Sequence, residues 1–312
     1  MKKVLVTGGA GFIGSTIVRT LLAEWNTDVV VLDNLLSGYR ENVAGLPVRF
    51  VEGDVRDEAA VRDAIDGCDT VFHLAASVGN TRSIEHPIDD SEINVIGTLR
   101  ILEAARRAGA KKVVFSSSAG IFGELKTLPI REDHAVEPDS PYGASKLGAE
   151  KLCLAYAKLY PALSCVCLRY FNVYGVNQRY DAYGNVIPIF AHRIFHDEPV
   201  TIFGDGEQTR DFVSVRDVAQ ANIKGALAEG VSGAFNIASG TRITINDLAR
   251  MMYRHAKIEP RIQYGPPRKG DVRDSLADIS AAHNAFGYTP TVGLDEGLAE
   301  YVEWARGAMV PA

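Results

Sequence analysis

The stretch from Lys3 to Gly14 limits the fold more than any other part of the chain. Lys3 to Thr7 (KVLVT) is a short apolar, β-branched run, the pattern of a buried strand. It ends in Gly8-Gly9-Ala10-Gly11-Phe12-Ile13-Gly14, and a helical pattern follows with Ile17, Val18, Leu21 and Leu22 turned inward. Strand, glycine turn and helix form the context of a dinucleotide fingerprint. The glycines permit a tight turn and let backbone N–H groups approach a pyrophosphate, which the helix N-terminus attracts.

Further strands follow at the spacing of an α/β protein. Val29 to Leu32 ends at Asp33-Asn34; an acidic residue about 20 positions past the glycine turn bonds ribose hydroxyls and repels a 2′-phosphate, which favours NAD over NADP. Val48 to Val51 leads to Asp54-Val55, where an adenine could be held, and Val71 to Leu74 leads to Ala75-Ala76. The small residues let the backbone pass close to a cofactor, and His73 reads as a packed core histidine. A helix is expected from about Asp89 to Ala108, carrying Ile93, Val95, Leu99 and Leu102 and stopping at Gly109. Lys112 to Phe115 runs into Ser116-Ser117-Ser118, and ligands in open α/β sheets sit beyond such carboxyl ends.

Tyr142 and Lys146 are four residues apart in Pro141-Tyr142-Gly143-Ala144-Ser145-Lys146, so a helix beginning at Pro141 places them on one face. A phenol of ordinary pKa is about 0.1 % ionised at neutral pH, which leaves it roughly 4 kcal/mol short as a base. A neighbouring ammonium favours the phenolate and removes much of that deficit. The same helix carries Leu147, Leu152, Leu154, Ala155, Tyr156 and Leu159, apolar on more than one side, which predicts two neighbours, the sheet and a second subunit.

The 312 residues are 46 % hydrophobic and 23 % charged, as in soluble globular enzymes. A net charge of −6 argues against nucleic acid or an anionic membrane as partner. No apolar run approaches the length of a membrane span, and the chain enters its first strand without a signal-type region. Cys68, Cys153, Cys165 and Cys167 show no paired spacing, so reduced thiols and a cytoplasmic location are expected. His192 and His196 lack the intervening acid of a zinc-protease motif, and no metal site is expected.

Gly8-x-x-Gly11-x-x-Gly14, Asp33-Asn34-Leu35, Asp54-Val55, His73-Leu74-Ala75-Ala76, Ser116-Ser117-Ser118-Ala119 and Tyr142-Gly143-Ala144-Ser145-Lys146 together resemble the extended short-chain dehydrogenase/reductases. Within that superfamily the chain is most similar to the NAD-dependent epimerase/dehydratase family and its nucleotide-sugar 4-epimerases, from Lys3 to about Trp304. The resemblance implies a Rossmann doubly wound parallel sheet over 1–172 that binds NAD. It also implies a smaller C-terminal α/β domain over 173–312 that binds the UDP-sugar, with some elements returning to the sheet. Pairing through the Tyr142 helix into a homodimer is implied as well.

For the cofactor, the resemblance implies contacts from Gly8, Gly11, Phe12, Ile13 and Gly14, then Asp33, Asn34, Ser37 and Gly38, then Asp54, Val55, Leu74, Ala75 and Ala76. Asn94, Ser116, Ser117, Tyr142, Lys146, Tyr170 and Val173 complete that set. For the UDP-sugar it implies Ser118, Tyr142 and Asn172 near the hexose and Asn185, Val186, Thr201, Phe203, Arg210, Arg268 and Asp271 around the nucleotide. Arg210 and Arg268 suit a diphosphate through charge-assisted pairs. The family's residue near the C2 substituent lies seven positions past the UDP-binding arginine, at Ser275, and its small side chain leaves room for an acetamido group.

The implied chemistry makes Tyr142 the base at the C4 hydroxyl, Lys146 its electrostatic support and Ser118 the hydrogen-bond partner of the reacting oxygen. Dehydratases of the superfamily carry Thr-Asp-Glu where this chain has Ser118-Ala119-Gly120; Ala119 and Gly120 cannot transfer the protons a dehydration needs. Gln178-Arg179 leaves a UDP-glucuronate epimerase as a rival. An NAD-binding regulatory protein is the non-enzymatic alternative. Phe122 and Gly120 stand where relatives often have tyrosine and threonine, which leaves the hexose open.

Overall fold

The computed structural model describes residues 1–180, 185–267 and 272–309. The first strands are β1 (Lys3–Thr7), β2 (Asp28–Asp33), β3 (Val48–Glu52), β4 (Thr70–His73), β5 (Lys112–Ser118) and β6 (Ser164–Tyr170). Shorter strands follow: β7 (Asn172–Tyr174), β8 (Val200–Phe203), β9 (Thr209–Arg210), β10 (Phe212–Ser214), β11 (Gly233–Ile237), β12 (Ile243–Thr244) and β13 (Ile262–Gly265). Helices in the first half are α1 (Phe12–Glu24), α2 (Glu58–Ile65), α3 (Asn80–Glu85), α4 (Pro87–Ser91), α5 (Gly97–Ala108) and α6 (Pro141–Leu159). The second half adds α7 (Val186–Phe195), α8 (Val215–Leu227), α9 (Ile245–Ala256), α10 (Ser280–Phe286) and α11 (Leu294–Met309).

Seven parallel strands form the central sheet in the order β11-β6-β5-β4-β1-β2-β3. The strands read as nearly continuous apolar runs because both faces are covered. Val4 and Val6 of β1 and Val29 and Val31 of β2 point into a layer shared with Ile17, Val18 and Leu21 of α1 and Val218 and Ile223 of α8. Leu5, Val30 and Leu32 point the other way, onto Val61 of α2, Ile101 and Leu102 of α5 and Cys153 of α6. Neighbours β2 and β4 flank β1, so the strand order reverses there and opens a crevice at the carboxyl ends.

Residues after Asn172 divide between two places. β11 extends the main sheet beside β6, and α8 packs on α1. A third core joins α7, α9, α11 and β8 through Ile187, Phe190, Ile202, Leu248, Met252, Leu298 and Tyr301. The strands and helices expected above are present with ends shifted by a residue or two, apart from β5, which runs three residues further to Ser118. Among the helices the exception is the one expected over 89–108. It divides into α4, a π-type turn over Glu92–Ile96 and α5. The turn swings Asn94 inward, and the buried face is Asn94, Gly97, Thr98, Ile101, Leu102 and Ala105, with Ile93, Val95 and Leu99 only half-buried. His73 is a core histidine, fully buried between Thr7 Oγ1 at 2.7 Å and Thr98 Oγ1 at 3.0 Å. The four cysteines are free and buried. Among the described residues no helix is long and apolar enough to cross a membrane.

Candidate active site

A cleft of about 1540 Å³ runs along the carboxyl ends of the strands. Its floor is the turn from β1 to α1. Gly8 has φ +67° and lies so close to the chain after β4 that a Cβ would stand 2.8 Å from the Ala75 nitrogen. A Cβ on Gly14 would run into the Gly8 carbonyl. The first turn of α1 has neither a side-chain cap nor an acidic residue, so its free N–H groups and positive end face the cleft, a setting that suits a pyrophosphate.

Asp33, at the end of β2, accepts hydrogen bonds from the Ala10 and Leu35 N–H groups, both at 2.9 Å. Burial pushes its pKa up, and those two bonds oppose the shift. Asn34 donates to Asp54 at 2.8 Å, while Arg56 grips both Asp54 oxygens and holds that carboxyl at about 2. Ser37, Gly38, Val55, Leu74, Ala76, Tyr170 and Val173 also line this half. The uncapped helix, fixed carboxylate and small-residue floor fit a dinucleotide. Asn94 is buried and is not among the residues that line the cleft; it holds the Ser77 N–H and carbonyl at 2.9 and 3.0 Å and bonds Asp90 and Ser145.

The reactive end is built from β5 and α6. Ser140 caps α6 by accepting from the Gly143 N–H at 3.1 Å, Pro141 occupies the first turn, and the Tyr142 N–H donates to Ser83 Oγ at 3.0 Å. These contacts fix where Tyr142 leaves the helix. Ser118 Oγ accepts from the Gly120 N–H at 3.1 Å, and Ser118 and Tyr142 line the same part of the cleft, both beside Gly120. Lys146, one turn on, is buried with Nζ 3.5 Å from Ser116 Oγ and 4.5 Å from the centre of the Phe115 ring.

The electrostatics differ from the sequence expectation. Burial raises the Tyr142 pKa; the neighbouring Ser118 hydroxyl pulls it back, and the Asp90 carboxylate pushes it up further. Burial also lowers Lys146 to about 8, against the opposing pull of Cys153, Asp90 and more distant acidic groups. An ammonium one turn away does not by itself make a phenolate in the free protein, because both groups sit in a poorly solvated wall.

The other half of the cleft gathers Asn172, Asn185, Val186, Thr201, Phe203, Arg210 and Ser275. Asn172 Nδ2 and Arg210 Nη1 donate to the carbonyls of Asp211 and Thr209 at 3.0 and 2.8 Å. Ser275 is buried in the cleft wall. Arg268 and Asp271 lie outside the described residues. Phe122 is not among the residues that line the cleft: it is buried against Phe171, His134 and Arg169. Gly120 does line it, and a Cβ there would stand 3.3 Å from Ser118 Oγ and 3.7 Å from the Tyr142 ring. Arg179 stacks 3.9 Å above the Tyr39 ring, in the cofactor half. His192 and His196 stack on each other at 4.0 Å, with Tyr180 on His192.

Sequence reasoning missed Arg56, Tyr39, Arg193 and the wall from Val78 to Arg82. These sit on loops, a short helix and the inner face of α7, where neither periodicity nor a local motif marks a ligand contact.

Comparison with known proteins agrees with this geometry. The model of the NAD dependent epimerase/dehydratase family matches residues 4–238. The UDP-glucose 4-epimerase of Thermotoga maritima, solved with UDP-glucose, is 39 % identical over 98 % of this chain and 99 % of its own, with a TM-score of 0.93. The UDP-N-acetylglucosamine 4-epimerase of Methanobrevibacter ruminantium, solved with UDP-N-acetylmuramic acid, is 36 % identical over 99 % of both chains, also at 0.93. The UDP-glucose 4-epimerase of Thermus thermophilus, solved with NAD, is 39 % identical over 98 % and 99 %, at 0.87. With that match over most of its length, the chain belongs to the NAD dependent epimerase/dehydratase family.

Proposed function

We propose that the chain is an NAD-dependent UDP-sugar 4-epimerase that interconverts C4 epimers such as UDP-glucose and UDP-galactose through a 4-keto sugar. The observation that carries this reading is the placing of Ser118 and Tyr142 together beside Gly120, next to a buried Lys146, where the two halves of one cleft meet. Residues 1–172 form the cofactor half. Those from 173 onward hold mainly the UDP-sugar, with α8 and β11 returned to the sheet.

When bound, the cofactor supplies a reversible hydride acceptor at C4. Tyr142 removes the proton of the C4 hydroxyl, and Ser118, on the same wall, holds the same oxygen and relays its proton. Lys146 supplies positive charge behind Tyr142 and a donor for the nicotinamide ribose. A bound oxidised nicotinamide would bring further positive charge beside Lys146 and Tyr142, which would favour the phenolate. Asn172, Phe203 and Arg210 anchor the nucleotide so that the keto sugar can turn over within the site. Ala119 and Gly120 border Ser118 in the cleft and carry no transferable proton, which supports epimerisation over dehydration. UDP-glucuronate is the weaker reading: Arg179 Nε is buried without a hydrogen-bond partner, but its guanidinium stacks on Tyr39 in the cofactor half.

We also infer a cytoplasmic homodimer built on α6, with the neighbouring α4 and the turn that follows it. Ile88, Ile96 and Leu159 are 71 %, 44 % and 68 % exposed, and Leu147, Leu152 and Leu154 are only half-buried. Apolar surface of that kind on adjoining helices suits a second copy. Light scattering at micromolar concentration should return twice the chain mass; a single-chain mass overturns the dimer.

Tyr142→Phe keeps the ring and deletes the base. Turnover of UDP-glucose should fall by about 10²- to 10⁴-fold, while calorimetric titration with UDP gives the wild-type affinity. Near-native turnover would move the base elsewhere.

Ser275 and Gly120 leave space on two walls, so UDP-N-acetylglucosamine should be a substrate alongside UDP-glucose. Ser275→Tyr should lower kcat/KM for the acetylated sugar by about 10- to 100-fold more than for UDP-glucose. Equal losses on both would show that Ser275 does not gate the pocket.

A further inference from the structure

Three consecutive serines at the end of β5 each meet α6. Ser118 shares the wall beside Gly120 with Tyr142, Ser116 lies 3.5 Å from Lys146 Nζ, and Ser117 Oγ donates to Glu150 Oε2 at 2.7 Å. Tyr142, Lys146 and Glu150 are successive members of an i, i+4 row on one helix face. The first two contacts belong to the reactive centre. The third lies beneath it and has no part in the chemistry described so far.

Glu150 is fully buried, and Arg169 of β6 is 4 % exposed. Arg169 grips both Glu150 oxygens, Nε to Oε2 at 3.0 Å and Nη2 to Oε1 at 2.8 Å. Its Nη1 donates to the Glu132 carbonyl at 2.9 Å, and Glu132 Oε1 accepts from the Asn236 N–H of β11 at 2.8 Å. Ser117 and Arg169 are register partners on adjacent strands. One ion pair therefore ties β5, β6 and α6 together at a single point, one residue from Ser118 and one turn from Lys146.

A buried ion pair contributes little net stability, since the cost of desolvating both charges offsets most of their attraction. What a forked pair with a third hydrogen bond does supply is direction. We propose that Glu150 and Arg169 are positioning residues that clamp Ser117 and thereby set the offset between β5 and α6 at which Ser118 meets Tyr142. The inference rests on that pair being the reactive centre.

Two variants test it. Ser117→Ala deletes the clamped hydroxyl and leaves the ion pair whole. Glu150→Gln combined with Arg169→Met removes both charges together, so neither remains buried alone. A displacement on the order of 1 Å in reacting groups costs about 10²-fold, so each variant should lower kcat for UDP-glucose by about 10- to 100-fold. KM for UDP-glucose, and the NAD released on acid denaturation, should stay at wild-type values. Wild-type kcat in Ser117→Ala overturns the inference. So does a loss of kcat accompanied by raised KM, lost NAD or a lowered Tm, which marks a purely structural role. If the double variant does not fold, Ser117→Ala decides alone. Tyr142→Phe assayed alongside separates the two questions: full activity there removes the reactive centre itself, whatever Ser117 does.

Discussion

Helix α6 lies against the turn after β5 at a distance that only glycine permits. A Cβ on Gly143 would collide with the Gly120 carbonyl. This contact brings the first turn of α6 over the end of β5, and Tyr142, Ser118 and Lys146 come together because of it. The rest of the fold serves to hold the contact. The parallel sheet delivers β5 to a central position, β6 and β4 flank it, and the opposite face of the sheet is closed by α1 and α8. A shift of α6 along β5 would leave the core largely intact and the reactive groups apart.

The electrostatics of the wall follow from the same packing. Close approach excludes water, and exclusion of water raises the phenol and lowers the ammonium, opposite to what a proton acceptor beside a cation needs. The free protein therefore holds Tyr142 as a phenol beside Ser118. The neighbouring crevice, with an uncapped helix end and Asp33 at its margin, suits a dinucleotide, whose oxidised nicotinamide would bring a further positive charge. Binding and activation are in this way coupled through one poorly solvated wall.

Much of the sheet was legible because its strands are short, apolar and closed by glycine or acidic residues. KVLVT-GGAGFIG announced the crevice, and the Tyr142–Lys146 spacing announced a shared helix face. Three features were not legible. The π-type turn at Glu92–Ile96 keeps helical periodicity on either side, so the sequence reads as one helix while Asn94 turns inward to Ser77. The fate of Phe122 depends on tertiary packing against Phe171 and His134, far along the chain. Ser117, one of the three serines at the end of β5, also donates to Glu150, a partner that spacing alone does not indicate.

The central claim is that one site removes hydrogen from C4 of the sugar and returns it to the same carbon. UDP-glucose deuterated at C4, incubated with the purified protein and no added nucleotide, tests this most directly. The account predicts UDP-galactose that retains the deuterium at C4. Deuterium lost to solvent, or turnover strictly dependent on added NADP, would contradict it.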